Sequence, residues 1–376
     1  MATTPPAPRA ALLRGVQGQA AEATWVQGAD FPSHAPEMDV DVEYVTSGGW
    51  GINYDHIPDP EMCAAMCQGV AKCKAYTWVK DAGLDGCPSQ CWLKDAVGEK
   101  VPKKGLVSGV PAPRRELPAT AVVPKPVVPA AGSLYCFALM VPGGYEAGLL
   151  EWQHGQKAGI FGCDEAAVYS NAPVKVAPGV QAKVVNSTLK CGYGGDSQSA
   201  LNSWIFIAVW DKVIDLGDYK AHAWVVKVDP DAVFFPARLG RVLALHQGAA
   251  YINNCKYGMH GPIEVFSSGA IAKLGEDYGR SWDGRAPHDC VTKMDFGLWG
   301  EDMFIDQCLS KVLEVGPRPT EPKLMCESHC DCPAWYWCQE GSDMVGYHPF
   351  KSIESYSNCM ANALAGEDSA PNAAQA

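Results

Sequence analysis

Apolar residues follow two different patterns along the chain. In residues 73–79 the apolar positions alternate with polar ones, which is typical of a strand with one exposed face. From residue 132 onward the apolar runs become longer. Residues 134–141 and 223–228 are almost uninterrupted apolar stretches, a pattern that favours strands buried on both faces of a parallel sheet.

Helical patterns lie between these predicted strands. Residues 145–156 and the amphipathic segment 202–214 are predicted helices, and residues 304–312 place their apolar side chains on one helical face. Strands that alternate with helices indicate an α/β domain with a mostly parallel sheet flanked by helices. A smaller α+β unit precedes it, with a helix that begins at Pro60, since proline is favoured at the first helical position.

The patterns divide the chain into five segments. A length of 376 residues suggests two or three domains. The predicted segments are a disordered N-terminal segment at 1–40, a small unit at 41–108, a proline-rich linker at 109–131, a large α/β domain at 132–361 and a disordered tail at 362–376.

Composition narrows the classes of function. A net charge of −12 argues against a nucleic-acid partner, which would need a basic face. Sixteen cysteines without a Cys-x-x-Cys pair indicate a disulfide-rich protein from an oxidising compartment. Asn186 begins an Asn-Ser-Thr glycosylation motif that agrees with this location. Neither a signal peptide nor an apolar run of membrane-spanning length is visible, so the cysteines carry the prediction of the secretory pathway, in the Golgi lumen or outside the cell.

Candidate chemistry begins where the strand at 223–228 ends. Asp229 and Asp231 follow it directly, and the carboxyl ends of strands are where open α/β sheets bind ligands. Two neighbouring carboxylates repel each other unless a cation lies between them. We interpret them as a site for a divalent metal and a nucleotide-sugar diphosphate; the alternative is an ordinary Asp-Pro-Asp turn.

Three later segments could complete such a site. Ser268 and Gly269 follow an apolar run, where small residues let the backbone approach a ligand. Glu301 and Asp302 begin a predicted helix, and Asp302 is a candidate general base, although acids also cap helices. His348, held extended by the following proline, could be a third metal ligand or a structural histidine.

The cysteine-rich loop at 326–338 offers a second metal candidate. It contains His329 and four cysteines, which are zinc ligands by type. Because cysteines are abundant along the whole chain, we expect disulfides there instead.

The small unit at 41–108 resembles a PAN/Apple domain. The resemblance lies in Gly-Ile-Asn-Tyr at 51–54, Cys-x3-Cys at 63–67, Cys-Lys-Ala-Tyr at 73–76 and Cys-Trp-Leu-Lys at 91–94. It implies disulfides Cys63–Cys91 and Cys67–Cys73, and a module that binds proteins or carbohydrates. The alternative is a structural spacer without a ligand.

The large domain resembles the β-1,3-glycosyltransferases that include fringe and the core-1 galactosyltransferases. Four segments match in order: Lys-Val-Asp-Pro-Asp at 227–231, Phe-Ser-Ser-Gly-Ala at 266–270, Gly-Glu-Asp-Met-Phe at 300–304 and His-Pro-Phe at 348–350. Pro230 departs from the group, which usually has an aspartate there.

The resemblance implies a GT-A fold, a UDP-sugar donor, Mn²⁺ (or Mg²⁺) and inversion at the anomeric carbon. The residue roles that it implies are metal ligation by Asp231 and His348, with Asp229 at the metal and donor, general-base catalysis by Asp302, and donor contacts from Lys227, Ser268, Gly269 and Glu301.

The predicted function is therefore transfer of a sugar from a UDP-sugar to a hydroxyl of a glycan or glycoprotein. The alternative is a secreted PAN/Apple protein that binds carbohydrate or protein and carries a catalytically inactive transferase-like domain.

Overall fold

The structure is a computed structural model. It describes residues 38–47, 51–55, 57, 60–70, 72–80, 89–111, 130–195, 199–281, 284–333 and 336–365. All of them belong to one compact unit, Pro36–Ala376, and the other unit, Met1–Ala35, lies outside the described residues. Most of the predicted disordered N-terminal segment, linker and tail also lies outside them, as does Cys87, to which the PAN/Apple resemblance assigns no disulfide partner. The predicted division between 41–108 and 132–361 stays a prediction.

The first part of the described chain forms an antiparallel five-stranded sheet with one helix. The strand order is β1-β5-β3-β4-β2. Its elements are β1 (Met38–Val45), β2 (Gly51–Asp55), α1 (Pro60–Gly69), β3 (Ala75–Val79), β4 (Gln90–Lys94) and β5 (Glu99–Gly109). Disulfides join Cys63 to Cys91 and Cys67 to Cys73, the two pairs that the PAN/Apple resemblance implies. They tie α1 to β4 and to the segment before β3, which stabilises a unit whose own core is small.

The second part is built on a mixed six-stranded sheet with the order β10-β7-β6-β13-β16-β15. Its strands are β6 (Ala130–Leu139), β7 (Glu165–Ser170), β10 (Lys183–Val184), β13 (His222–Val228), β15 (Tyr251–Ile252) and β16 (Ile263–Ser267). The helices of this part are α2 (Tyr145–Gln156), α3 (Ser203–Leu216), α4 (Pro236–Leu245), α5 (Ser268–Arg280), α6 (His288–Lys293), α7 (Glu301–Gln307) and α8 (Ile353–Leu364). Short strand pairs are added by β8 (Lys175–Ala177) with β9 (Val180–Gln181), β11 (Tyr193–Gly194) with β12 (Ser199–Ala200), and β14 (Val233–Phe234) with β17 (Gly346–Tyr347).

Both faces of this sheet are buried. Phe137 and Val225 belong to the core on one face, where α3 and α5 also contribute apolar side chains. Their neighbours Cys136 and Val226 belong to the core on the other face, together with residues of α4. Because alternate residues of a strand point to opposite faces, a strand covered on both sides needs apolar residues at every position. The continuous runs in the sequence have this origin.

The predicted fold class is confirmed: a mixed α/β domain with a parallel-containing sheet follows a disulfide-rich N-terminal region, consistent with a GT-A-like fold. Strands β10, β7, β6 and β13 run parallel to one another, but β16 is antiparallel to β13. This reversal decides which residues reach the candidate site.

Disulfides also cross-link the second part of the chain. The pairs are Cys136–Cys163, Cys255–Cys330, Cys290–Cys308, Cys326–Cys332 and Cys338–Cys359. The cysteines of the loop at 326–338 are therefore in disulfides, as expected, and do not form a zinc site. Bridges in this number fit an extracellular or secretory-pathway protein. Among the described residues, no helix is both long and apolar enough to cross a membrane.

Candidate functional site

Asp229 and Asp231 lie in a tight turn at the carboxyl end of β13. The Ala232 N–H donates to the Asp229 carbonyl at 3.0 Å, which closes a four-residue turn with Pro230 at its second position, a favoured place for proline. Gln153 of α2 donates its side-chain amide to the Pro230 carbonyl at 2.7 Å. An Asp-Pro-Asp turn and a metal site are therefore compatible, because the turn fixes the positions of the two carboxylates relative to each other.

A long-range strand pair brings His348 to this turn. Strand β14 follows the turn directly and pairs antiparallel with β17, so that Val233 lies opposite Tyr347. The Phe350 N–H then donates to the Asp231 carbonyl at 2.8 Å. Gly346 allows this approach, since a Cβ there would lie 2.9 Å from the Val233 carbonyl oxygen.

One ligand atom each from Asp229, Asp231 and His348 lies within 4.8 Å of the others, the spacing of a metal-binding group. His348 Nε2 is 3.4 Å from Asp231 Oδ1, and the Tyr145 hydroxyl donates to Asp231 Oδ2 at 2.9 Å. Burial alone would lower the pKa of His348, but the contacts with the carboxylates of Asp231 and Glu327 outweigh it and raise the pKa to about 9. Two carboxylates and an imidazole suit a first-row divalent metal.

Lys227 holds Asp229 from beneath the surface. Its ammonium group is completely buried and lies 2.7 Å from Asp229 Oδ1, 2.9 Å from Glu301 Oε1 and 2.7 Å from the Gly261 carbonyl. Burial would lower the pKa of Lys227, but the surrounding carboxylates raise it well above its usual value. The donor contact predicted for Lys227 stays a prediction, and its complete burial argues against it; the contacts that the ammonium group makes hold Asp229 and Glu301.

Asp302 lies at the start of α7 and is only partly buried. Its Oδ2 accepts from the Gly261 N–H at 3.0 Å and lies 3.3 Å from His260 Nδ1. Burial would raise the pKa of Asp302, but the contact with His260 lowers it overall. The carboxylate is thus ionised at neutral pH, the form that a general base requires.

Glu327 connects the two halves of the site. Its Oε2 lies 2.8 Å from His260 Nε2 and 3.3 Å from His348 Nδ1. Burial would raise the pKa of Glu327, but the two imidazoles lower it to about 2. The result is an acid–imidazole chain that runs from Asp231 through His348, Glu327 and His260 to Asp302.

His260 and Glu327 belong to the site but were not predicted from the sequence. His260 precedes β16 and is fixed by the buried Asn254, which accepts from the His260 N–H at 2.8 Å and donates to the His260 carbonyl at 2.7 Å. Glu327 lies within the cysteine-rich loop, where the predictions concerned only the cysteines and His329. Neither residue belongs to a motif, and only the spacing of histidines and acids along the chain could have indicated that they belong to the site.

Ser268 and Gly269 do not reach the site. Because β16 is antiparallel to β13, Ser267 lies opposite Trp224 while Ile263 lies opposite Val228. The end of β16 is therefore roughly 16 Å from Asp229 at the usual rise per strand residue, and the Ser268 hydroxyl donates to the carbonyls of Tyr219 and His222. The donor contacts predicted for Ser268 and Gly269 stay a prediction, and this position at the far end of the sheet argues against them. It is the segment before β16 that reaches the site.

Two other features lie apart from this cluster. Asn186 is exposed just after β10, in a position that a glycan could occupy. Cys191 is exposed and free of a disulfide in the described part of the chain.

Comparison with known families identifies one part of the chain. Residues 49–94 match the model of the PAN domain. This match agrees with the PAN/Apple resemblance of the first unit and covers less than half of the chain. No curated protein sequence matches the chain.

Comparison with solved structures finds a glycosyltransferase involved in the glycosylation of the major capsid of PBCV-1. The similarity has a TM-score of 0.34 and 10% identity, and it covers 61% of this chain and 98% of that one.

Proposed function

We propose that the chain is a metal-dependent glycosyltransferase that moves a sugar from a UDP-sugar to an acceptor hydroxyl with inversion. The observation that carries the proposal is the convergence of Asp229, Asp231 and His348 within 4.8 Å. Three protein ligands leave positions open for diphosphate oxygens, which is how such sites share a metal with a nucleotide. Assignment to the fringe and core-1 group is part of the same proposal.

The ligand set fits Mn²⁺, since it combines carboxylates with an imidazole, and Mg²⁺ is the second choice. The metal, when bound, supplies a Lewis acid that stabilises negative charge on the departing UDP. Asp231 keeps Oδ1 directed at His348 because Tyr145 occupies Oδ2. Asp229 has one oxygen on Lys227, which leaves its second oxygen for the metal or the donor ribose.

Asp302 acts as the general base in this proposal. The acceptor hydroxyl gives its proton to the Asp302 carboxylate while its oxygen forms a bond to the anomeric carbon. The bond from that carbon to the diphosphate oxygen breaks, and the electron pair leaves with UDP. Attack from the face opposite the leaving group inverts the anomeric configuration.

The test measures Mn²⁺ binding by calorimetry, UDP binding with and without Mn²⁺, and UDP release from a panel of UDP-sugars with glycan acceptors. We expect Asp231→Asn to weaken Mn²⁺ binding at least about 10-fold, since a ligand is lost. Asp302→Asn should leave Mn²⁺ and UDP binding intact and lower kcat by about 10²- to 10⁴-fold, the usual contribution of a general base.

Asp215→Asn is the matched control, because Asp215 is an exposed acid that pairs only with Lys212 on α3 in the described chain. It should change none of these values. A wild-type chain whose UDP affinity is the same with and without Mn²⁺, and which releases no UDP from any UDP-sugar, would sink the proposal.

The PAN match favours a second activity, binding of a carbohydrate or protein ligand. If the chain were only a binding protein, its glycan binding on an array would be independent of Mn²⁺ and unchanged in Asp231→Asn, and no transfer would be seen. Transfer together with Mn²⁺-independent glycan binding would mean that both activities are present.

A further inference from the structure

One carboxylate oxygen lies close to two imidazoles on opposite sides of the site. Glu327 Oε2 lies 2.8 Å from His260 Nε2 and 3.3 Å from His348 Nδ1. The outer nitrogens of the two rings face different acids: His348 Nε2 is 3.4 Å from Asp231, and His260 Nδ1 is 3.3 Å from Asp302. Glu327 is therefore the only member of the acid–imidazole chain that contacts both histidines.

The fold holds Glu327 in this place by several constraints. The Cys326 N–H donates to the Gly346 carbonyl at 2.9 Å, and the His348 N–H donates back to the Cys326 carbonyl at 3.3 Å. Cys326 is bonded to Cys332, and Cys330 is bonded to Cys255 a few residues before His260. The loop of Glu327 is thus tied both to the strand that ends at His348 and to the segment that carries His260.

The chemistry of imidazole gives this arrangement a consequence. A histidine that binds a metal through one nitrogen carries a proton on the other, and a carboxylate that accepts this N–H fixes the tautomer and the ring orientation. Glu327 is placed to do so for His348: its Oε2 lies 3.3 Å from Nδ1, which forms no hydrogen bond to a described residue in the present ring orientation. The same oxygen accepts from His260, whose other nitrogen faces the Asp302 carboxylate.

We propose that Glu327 is a positioning residue that orients His348 for metal binding and, through His260, holds the Asp302 carboxylate. The inference rests on the proposed function, and it deepens it by assigning one side chain to both halves of the site. His260 is a positioning residue for Asp302 only.

The two roles of Glu327, at His348 and at Asp302, can be tested separately, because metal affinity is measured without a substrate and kcat is not. Glu327→Gln keeps the shape of the side chain but loses the charge, and a neutral amide oxygen is a weaker acceptor for two imidazoles. We expect it to weaken Mn²⁺ affinity about 10- to 100-fold, the usual effect of losing an outer partner of a ligand, and also to lower kcat. His260→Gln should lower kcat while Mn²⁺ affinity stays within about 2-fold and the donor KM is unchanged.

Glu321→Gln is the matched control. Glu321 forms a comparable carboxylate–imidazole contact, with Oε2 3.1 Å from His246 Nε2, away from the site. It should change neither Mn²⁺ affinity nor kcat. The double variant Glu327→Gln/His260→Gln should lower kcat by less than the product of the two single effects, since both act on Asp302.

Several outcomes would overturn the inference. One is Mn²⁺ affinity in Glu327→Gln equal to wild type. Another is equal loss of Mn²⁺ affinity in Glu327→Gln and His260→Gln, which would indicate general disruption of the loop. If Glu327→Gln does not fold, Glu327→Asp provides the same measurement with the charge retained and the reach shortened.

Results that contradict the proposed function differ from results that contradict the role of Glu327. A wild-type chain that binds Mn²⁺ but transfers no sugar contradicts the transferase and leaves the metal half of the inference to be decided by the affinity of Glu327→Gln. A wild-type chain that binds no Mn²⁺ overturns both. Sugar transfer by wild type with a Glu327→Gln variant that behaves identically overturns the inference alone.

Discussion

The Lys227 ammonium group lies 2.7 Å from Asp229 Oδ1, although Lys227 has no exposed surface. The same group lies 2.9 Å from Glu301 Oε1 at the start of α7. One buried cation therefore links the first acid of the metal group to the residue next to Asp302. The sheet, through β13, and helix α7 are held together at the point where the chemistry is proposed.

Lys227→Met should destabilise the fold strongly. The substitution leaves the buried carboxylate of Glu301 and the half-buried carboxylate of Asp229 without their cation. Removal of one partner of a buried pair costs about 3–5 kcal/mol. Urea unfolding with the disulfides intact measures the change in the free energy of unfolding. Lys212→Met, which removes a surface ion pair with Asp215, should cost less than about 1 kcal/mol. Similar values for the two variants would contradict this account of Lys227.

Glu264→Met should stabilise the protein by about 1–3 kcal/mol at neutral pH. Both carboxyl oxygens of Glu264 are buried without a hydrogen-bond partner, and an unsatisfied buried polar group costs about this much. Burial raises the pKa of Glu264 well above its usual 4.5. The carboxyl group of Glu264 therefore destabilises the fold least below pH 4.5 and more as the pH rises through its raised pKa, so the gain from methionine should be larger at pH 7 than at pH 4. A loss of stability at both pH values would mean that an ionised Glu264 supports Lys227, 3.9 Å away.

The contribution of His260 to stability should disappear in alkaline solution. Burial would lower its pKa, but hydrogen bonds to Asp302 and Glu327 raise it from 6.5 to about 9. The third group that faces it is the His329 ring, at 5.0 Å between centroids. Protonated His260 therefore stabilises the fold fully below pH 6.5, and this stabilisation is lost as the pH rises through 9. The difference between wild type and His260→Gln, at most about 3 kcal/mol, should therefore shrink between pH 6.5 and 9 in urea titrations. A constant difference would contradict a protonated His260.

Asn186 should carry a glycan when the chain is made in a eukaryotic secretory pathway. Its side chain is exposed, and it begins an Asn-Ser-Thr motif. Treatment with an N-glycosidase should increase electrophoretic mobility, and Asn186→Gln should migrate like the treated wild type. Thr188→Ser should keep the glycan and Thr188→Ala should lose it. Unchanged mobility of secreted wild type after treatment would rule out this modification.

Local patterns in the sequence were sufficient for several of the elements and for part of the site. The helix α2 was predicted with its observed bounds, Tyr145–Gln156, because helical periodicity is a property of neighbouring residues. The residue types of Asp229, Asp231 and His348 suggested a metal, and the structure brings all three together. Cysteine usage, likewise a property of composition, indicated the disulfides.

The tertiary structure decided the direction of β16 and the pairing of β14 with β17. An apolar run in a strand that is buried on both faces looks the same whether the strand runs parallel or antiparallel, so the sequence could not place Ser268 at the far end of the sheet. Residues 233 and 347 are distant in the chain, and only their pairing in space brings His348 to Asp231. Glu327 and His260 became part of the site for the same reason: their partners are contacts between segments far apart in sequence, which no local pattern records.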